Sequence, residues 1–255
     1  MFPSQGRDEG STPSTRTTDL MSVKFQTNLN TELLKVVAVV AMTLDHISVL
    51  VPEYEIPLRW IGRLAFPLFC YCMTVGMVYT RDINKYLMRL GIFALIAQPL
   101  YTMAFYWNTW QQNWWELNIL FTLFFSLTAM WGLKEKHFIL SLTMITLLLM
   151  PGIDYMLLGL VLMMVFYYCR ERRGLGAILY ILLYVVMAIV HGVEGGRLDL
   201  RIGDVAFGFE IFALAAMPLI FIKKPRSKWR INKWFFYAYY PTHLCVIALM
   251  RLLES

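Results

Sequence analysis

Charge is scarce in this 255-residue chain: Asp, Glu, Lys and Arg make up 16% of it, while 58% is hydrophobic. That deficit excludes an ordinary soluble domain, about a quarter of whose residues are charged, and selects the membrane class. Cysteine is sparse too. Cys70, Cys72 and Cys245 fall inside long apolar runs and Cys169 at the end of one, so no disulfide framework is readable and the four act as small packing residues. There is no Walker loop, no Gly-rich dinucleotide fingerprint, no internal repeat and no metal-ligand spacing. His46 and His243, the two histidines deepest in apolar sequence, lie far apart along the chain, and nothing argues for a metal between them. Residues 1–30 lack an apolar stretch ahead of a small-residue cleavage site, so they do not read as a signal peptide. Polar and rich in Ser and Thr, they read as a disordered cytoplasmic tail, with 31–255 forming the membrane domain.

Long apolar runs fill the remainder. They predict an all-α, polytopic membrane bundle of about nine transmembrane helices, at 33–51, 58–79, 87–106, 117–133, 138–151, 153–169, 175–192, 204–222 and 234–253. The fifth and sixth are short and share the turn Pro151-Gly152, so they also read as one re-entrant hairpin. The loops alternate in charge. Arg81, Lys85 and Arg89, Lys134 and Lys136, Arg170 to Arg173, and Lys223 to Lys233 lie on one side. Glu53, Glu55, Glu116, Asp154, Glu194 and Asp199 lie on the other. The positive-inside rule then places the N-terminus in the cytoplasm and the C-terminus outside, and assigns the net charge of +6 to membrane loops rather than to nucleic-acid binding. Trp107, Trp110, Trp114 and Trp115 crowd one outer loop as an aromatic belt or a platform for an apolar partner. The basic, apolar-interleaved segment 81–89 suits lipid phosphates or an anionic cofactor at the inner surface.

The first apolar run, LLKVVAVVAMTLDHISVLV, carries Asp45 and His46 side by side near its middle. A carboxylate at that depth costs roughly 2.5–3.5 kcal/mol even on lenient insertion scales, so an inert anchor would not place one there. From the rise of about 1.5 Å per residue, His46, Arg63 and Glu210 lie in the outer half of their spans, with Gln98 and His243 near the midplane. Polar groups therefore gather in the middle and outer half, as around a cavity opening outward. Helical spacing puts Lys35, Met42 and His46 on one face, Arg59, Arg63, Cys70 and Thr74 on another, Asn118, Thr122 and Ser126 on a third, and Tyr239 and Tyr240 one turn from His243. Adjacent helical residues do not face each other, so Asp45 does not orient His46. Arg63 is the cation at the right depth for Asp45, either as a structural pair or with the carboxylate reaching substrate. Glu210 and Gln98 read as packing hydrogen-bonders, and Pro67, Pro99, Pro218 and Pro241 as kinks, some beside a cavity.

Several segments together resemble the TraX family, membrane proteins associated with N-terminal acetylation of conjugative F-type pilin. They are LKVVAVVAMTLDHI (34–47), LRWIGRLAFPLF (58–69), TRDINKYLMRLGIFALIAQPLY (80–101), LNILFTL (117–123), Asp154-Tyr155 with Gly159 downstream, and KWFFYAYYPTHL (233–244), in which Thr242 replaces an expected larger apolar residue. The resemblance runs from about Leu33 to the C-terminus. It implies a multi-pass acetyltransferase of the bacterial inner membrane that takes acetyl-coenzyme A and modifies the free N-terminus of a mature pilin subunit. By analogy with other transmembrane acyltransferases, donor and acceptor approach from opposite sides. Chemistry on an amine needs a base with a pKa near neutrality, donors for an oxyanion, and cations for the donor's phosphates. His46 then acts as general base, His243 assists or donates to the oxyanion, and Asp45–Arg63 holds the first two helices in register. Arg81, Lys85, Arg89 and Lys35 bind the donor, and Asn118 and Tyr240 help receive the acceptor. Two other readings stand beside this one: a proton-coupled transporter of small solutes, and a non-catalytic membrane chaperone for pilin.

Overall fold

A computed structural model describes residues 25–194, 196–203 and 205–254. The architecture is all-α apart from one small hairpin. Helix α1 (Thr31–Ile47) begins at Asn30, whose side chain accepts from Leu33 N. A 3₁₀ turn at Pro52–Tyr54 leads into α2 (Glu55–Gly62) and α3 (Ala65–Tyr79). Next come α4 (Ile83–Phe105), capped by Asp82, and α5 (Ile119–Lys134), capped by Asn118. Helices α6 (Phe138–Leu148), α7 (Leu158–Tyr168) and α8 (Arg173–Glu194) follow. Strands β1 (Leu200–Ile202) and β2 (Val205–Phe207) pair antiparallel, Leu200 opposite Phe207, around Gly203 at φ +62°. A 3₁₀ run, Phe209–Ala216, passes into α9 (Met217–Phe221), and α10 (Lys233–Glu254) closes the chain.

Helix α3 is the axis of the bundle. It is apolar all round and buried on every face, including Leu68, Cys70, Tyr71 and Thr74, as a helix enclosed by others must be. Helices α1, α5 and α7 pack on it, α10 lies along α4, and α6 along α5. Around this core the outward faces stay apolar: Ile178, Leu182, Val186, Val190 and Val193 on α8 and Ile139 and Leu142 on α6 are exposed. Three stretches among the described residues, Pro52–Tyr79, Ile83–Phe105 and Arg173–Val193, are long and apolar enough to cross a membrane.

The expected spans need three corrections. The second is broken at Arg63–Leu64, between α2 and α3. Pro67 has no N–H to return to the Arg63 carbonyl, and the helix restarts at Ala65, two residues before it. The eighth, expected as helix over 204–222, begins with β2 and becomes helical only from Phe209. Its β-branched and aromatic residues are taken up by the hairpin, and Gly208 packs where its N–H reaches Ala188 O at 2.7 Å. Helices α6 and α7 have eleven residues each, about 16 Å of rise against about 30 Å of hydrocarbon. Neither crosses by itself. Of the polar tail expected at 1–30, residues 1–24 lie outside the described residues. Residues 25–30 belong to the fold: Phe25, Thr27 and Asn28 are buried, and Tyr71 bonds both the Thr27 hydroxyl and the Asn28 carbonyl.

Candidate functional site

Because successive helices run antiparallel, the N-terminus of α1, the C-terminus of α3 and the N-termini of α4 and α10 share the basic end of the bundle. The C-termini of α1 and α4 share the acidic end with the turn between α6 and α7. Each end holds a cavity. The one at the basic end has a volume of about 440 Å³ and the one at the acidic end about 1190 Å³. Phe69 and Tyr240 line both and form the partition between them.

The larger cavity gathers the deep polar residues. His46 on α1 lines it and meets His243 on α10, which lies behind it, Nδ1 to Nε2 at 2.7 Å, although 197 positions separate them. His243 Nδ1 lies 3.0 Å from the Tyr239 carbonyl, which only accepts, so that nitrogen carries the proton. In the neutral pair His243 Nε2 is therefore the acceptor, His46 Nδ1–H the donor, and His46 Nε2 is left with its lone pair. The rings stack at 5.0 Å, and Phe105 closes on His46 edge-on at 5.0 Å. Both nitrogens of His243 are committed, so it has no proton for an oxyanion, and that expected role is withdrawn. Its part is to fix the tautomer of His46.

Asp45 pairs with Arg63 at 2.9 Å, in a setting where little of either side chain meets solvent. Gly62 makes the approach possible, since a Cβ there would lie 2.4 Å from the Asp45 carboxyl. The guanidinium also bonds the Tyr155 hydroxyl and lies over the Phe209 ring at 4.6 Å. Tyr155 stacks on Phe66 at 4.1 Å and holds φ at +60°, with Met156 at +37°. Non-glycine residues adopt that region only where packing compels it. Glu210 faces the same cavity from the 3₁₀ run and pairs with His191 at 3.2 Å, so it joins the site rather than serving only to pack helices.

The remaining expected residues divide. Lys35 and Arg89 line the smaller cavity, joined there by Arg226 and Lys233. Lys35 also pairs with Glu32 at 2.9 Å. Arg81 and Lys85 are not in its lining. Lys85 lies exposed on the surface beside Asp82 at 3.1 Å, and the Lys85 backbone N–H holds the Asp82 carboxyl below its ordinary pKa. Asn118 is sealed away from any acceptor. Its oxygen caps α5 at Leu120 N, and its amide donates to Ala94 O and Gln98 Oε1. A cap with every group satisfied has nothing left for substrate. Thr122 and Ser126 are buried on the same helix, Thr122 donating to the Asp154 carbonyl at 2.9 Å. Cys70 is buried in the core, and Cys72, also buried, lines the smaller cavity. Gln98 ties the outer loop through Glu116 O at 2.7 Å, a packing role as expected. Tyr240 sits on the partition with a buried hydroxyl that donates to no acceptor among the described residues.

Tyr155, Asp154 and His191 were missed as site residues. The first two stand in a turn whose geometry hydropathy cannot reveal; their one sequence signal is the family pattern Asp154-Tyr155. Among the described residues no group of three or more His, Cys, Asp or Glu is placed to hold a metal ion.

The family model described as "TraX protein" matches residues 30–251. A probable fimbrial assembly protein, FimC of serogroup H1 from Dichelobacter nodosus, is 45% identical over 74 residues, which cover 27% of this chain and 30% of that protein. An uncharacterized protein of Rickettsia prowazekii is 40% identical over 75 residues, 29% of this chain and 28% of that protein. The chain thus spans less than a third of the length of each of these two relatives. No solved structure matches.

Proposed function

The chain belongs to the TraX family, and on that premise we propose that it is a multi-pass membrane acetyltransferase. It transfers acetyl from acetyl-coenzyme A to the free N-terminal amine of a pilin subunit. The fimbrial assembly name borne by one relative supports a pilus-related acceptor. The alternation of basic and acidic ends supports a bundle in the bacterial inner membrane with its basic end in the cytoplasm. There α6 and α7 form a hairpin that enters the bilayer and returns, and the exposed apolar faces of α6 and α8 meet lipid.

The observation that carries this reading is the His46–His243 pair, held in one tautomer at the wall of a cavity. A protonated amine is no nucleophile. His46 Nε2 removes one proton, and the free amine so formed attacks the thioester carbonyl, a step worth about 10²–10⁴-fold in rate. The tetrahedral intermediate gives up a second proton from its nitrogen to the departing sulfur as the C–S bond breaks, so coenzyme A leaves as the thiol and the neutral amide remains. The imidazolium then returns its proton to water. The Tyr240 hydroxyl, free to donate, faces the oxyanion. In the smaller cavity Lys35, Arg89, Arg226 and Lys233 offer charge to the donor's phosphates. Its apolar lining, Cys72 and Met73 among it, suits the pantetheine arm, whose thioester reaches His46 past Phe69 and Tyr240.

The test is acceptor-dependent release of coenzyme A, with mass spectrometry of the acceptor, using purified protein in nanodiscs. His46→Ala abolishes transfer, and His243→Ala lowers it by about 10²-fold or more. Full acetylation by both variants at normal protein level would overturn the proposal. Solute flux without an acyl donor would favour a transporter.

A further inference from the structure

Among the described residues four carboxylates line the larger cavity, and three of them are occupied. Asp45 pairs with Arg63, Glu55 with Arg59 at 3.2 Å, and Glu210 with His191. Among the described residues Asp154 is the cavity-lining carboxylate with no ion-pair partner. It keeps a single long hydrogen bond, from the Tyr101 hydroxyl at 3.4 Å, and its side chain is open to the cavity. Its main chain is nevertheless anchored: the carbonyl accepts from Thr122, and the neighbouring Ile153 bridges Leu117. The position of the carboxylate is therefore built into the fold rather than left to a loose loop.

Aromatic rings on the last turns of α4 lead away from it. Tyr101 packs on Phe105 at 5.1 Å and on Tyr106 at 6.2 Å. Phe105 in turn covers His46 at 5.0 Å. A fixed, unpaired carboxylate beside aromatic rings is the environment that attracts an alkylammonium ion, by charge and by cation–π attraction together. The same track ends at the imidazole that would deprotonate it.

We propose that Asp154, with Tyr101, Phe105 and Tyr106, forms the acceptor subsite of the larger cavity and binds the primary ammonium group at the end of an apolar peptide. This rests on the amine-acylation reading above and names where its acceptor docks. Asp154 is a binding residue. The carboxylate holds the amine in its protonated form at the mouth, and the rings carry it to His46, where the proton is removed. The same subsite rejects an N-acetylated product, which has no charge to offer Asp154.

The probe is a short fluorescent peptide with a free N-terminal Ala, compared with its N-acetylated twin, bound to wild-type protein in nanodiscs without any acyl donor. Wild type prefers the free amine, and Asp154→Asn weakens that peptide by up to about fivefold, the loss expected when one partner of an exposed charge pair is neutralised. Asp154→Glu retains part of the preference, and the thermal midpoint of each variant checks that the fold persists. In turnover, Asp154→Asn raises KM for the peptide with little change in kcat. Equal affinity of wild type for the two peptides, or unchanged affinity in Asp154→Asn, would overturn the subsite. Asp154-dependent binding without acetyl transfer leaves the subsite standing and refutes the acetyltransferase. Transfer at normal KM by Asp154→Asn does the reverse.

Discussion

A methyl group at Gly62 tests whether the Asp45–Arg63 pair locks α1 to α2. The Cβ of Gly62→Ala would lie 2.4 Å from both Cβ and Oδ1 of Asp45 and 2.7 Å from its Cγ, about an ångström inside ordinary contact. The Cβ of Asp45 is fixed to the helix backbone, so rotating the carboxyl does not relieve the overlap. Helix α1 has to move away from α2, and the 2.9 Å pair opens. Arg63 and Asp45 side chains are only 12% and 18% exposed, so separating them leaves two poorly hydrated charges, a loss on the order of 3–5 kcal/mol. Ala in place of Gly returns about 1 kcal/mol of helix propensity. The net loss is about 2–4 kcal/mol, or roughly 5–15 °C in Tm for a chain of this size. Gly174→Ala is the control. Beyond its chain neighbours and its own helix backbone, its added Cβ would meet nothing within 4 Å, so Tm stays level or rises slightly. Thermal unfolding of both variants in one detergent decides the matter. A Gly62→Ala midpoint equal to that of wild type would refute the close-approach argument and the energetic weight given to the pair.

Two further outcomes separate the cavities and their roles. Cys72 lines the smaller cavity while Cys70 lies buried in the core, so coenzyme A slows maleimide labelling of Cys72 in a Cys70→Ala, Cys169→Ala, Cys245→Ala background. Labelling at an unchanged rate, read by peptide mapping, removes the donor from that cavity. Tyr240→Phe keeps the ring on the partition but deletes the hydroxyl. Turnover falls about 10²-fold, as when one oxyanion donor is lost, with the affinity for coenzyme A unchanged by calorimetry, whereas turnover near the wild-type value rules the hydroxyl out.

The apolar runs made most of the helical scaffold legible, because hydropathy over a long window reports burial or lipid contact directly. The Asp45–Arg63 pair was legible for a related reason: depth follows from counting residues along a helix of fixed rise, and a buried carboxylate needs a cation at its own level. Asn118 was misread because its spacing from Thr122 and Ser126 marks a shared face but not which neighbour covers it. That face packs on Ala94, Gln98 and the turn at Asp154, and the cap uses every polar atom. Arg81 and Lys85 share a basic segment with Arg89, yet of the three only Arg89 lines the cavity. The hairpin at 200–207 was hidden inside an apolar stretch, where composition alone does not separate strand from buried helix.

By itself the sequence determined the all-α class, the alternation of basic and acidic ends, and the positions of Asp45, His46, Arg63 and His243 along their helices. Each of these depends on residues near one another along the chain and on the helical repeat. Tertiary packing alone decided that the two imidazoles touch, that His243 is committed to the Tyr239 carbonyl, that two cavities meet at Phe69 and Tyr240, and that Asp154 faces the larger one with no ion pair among the described residues. Those contacts join helices far apart in sequence, and the rotation of each helix about its axis is set by what it packs against rather than by its own composition.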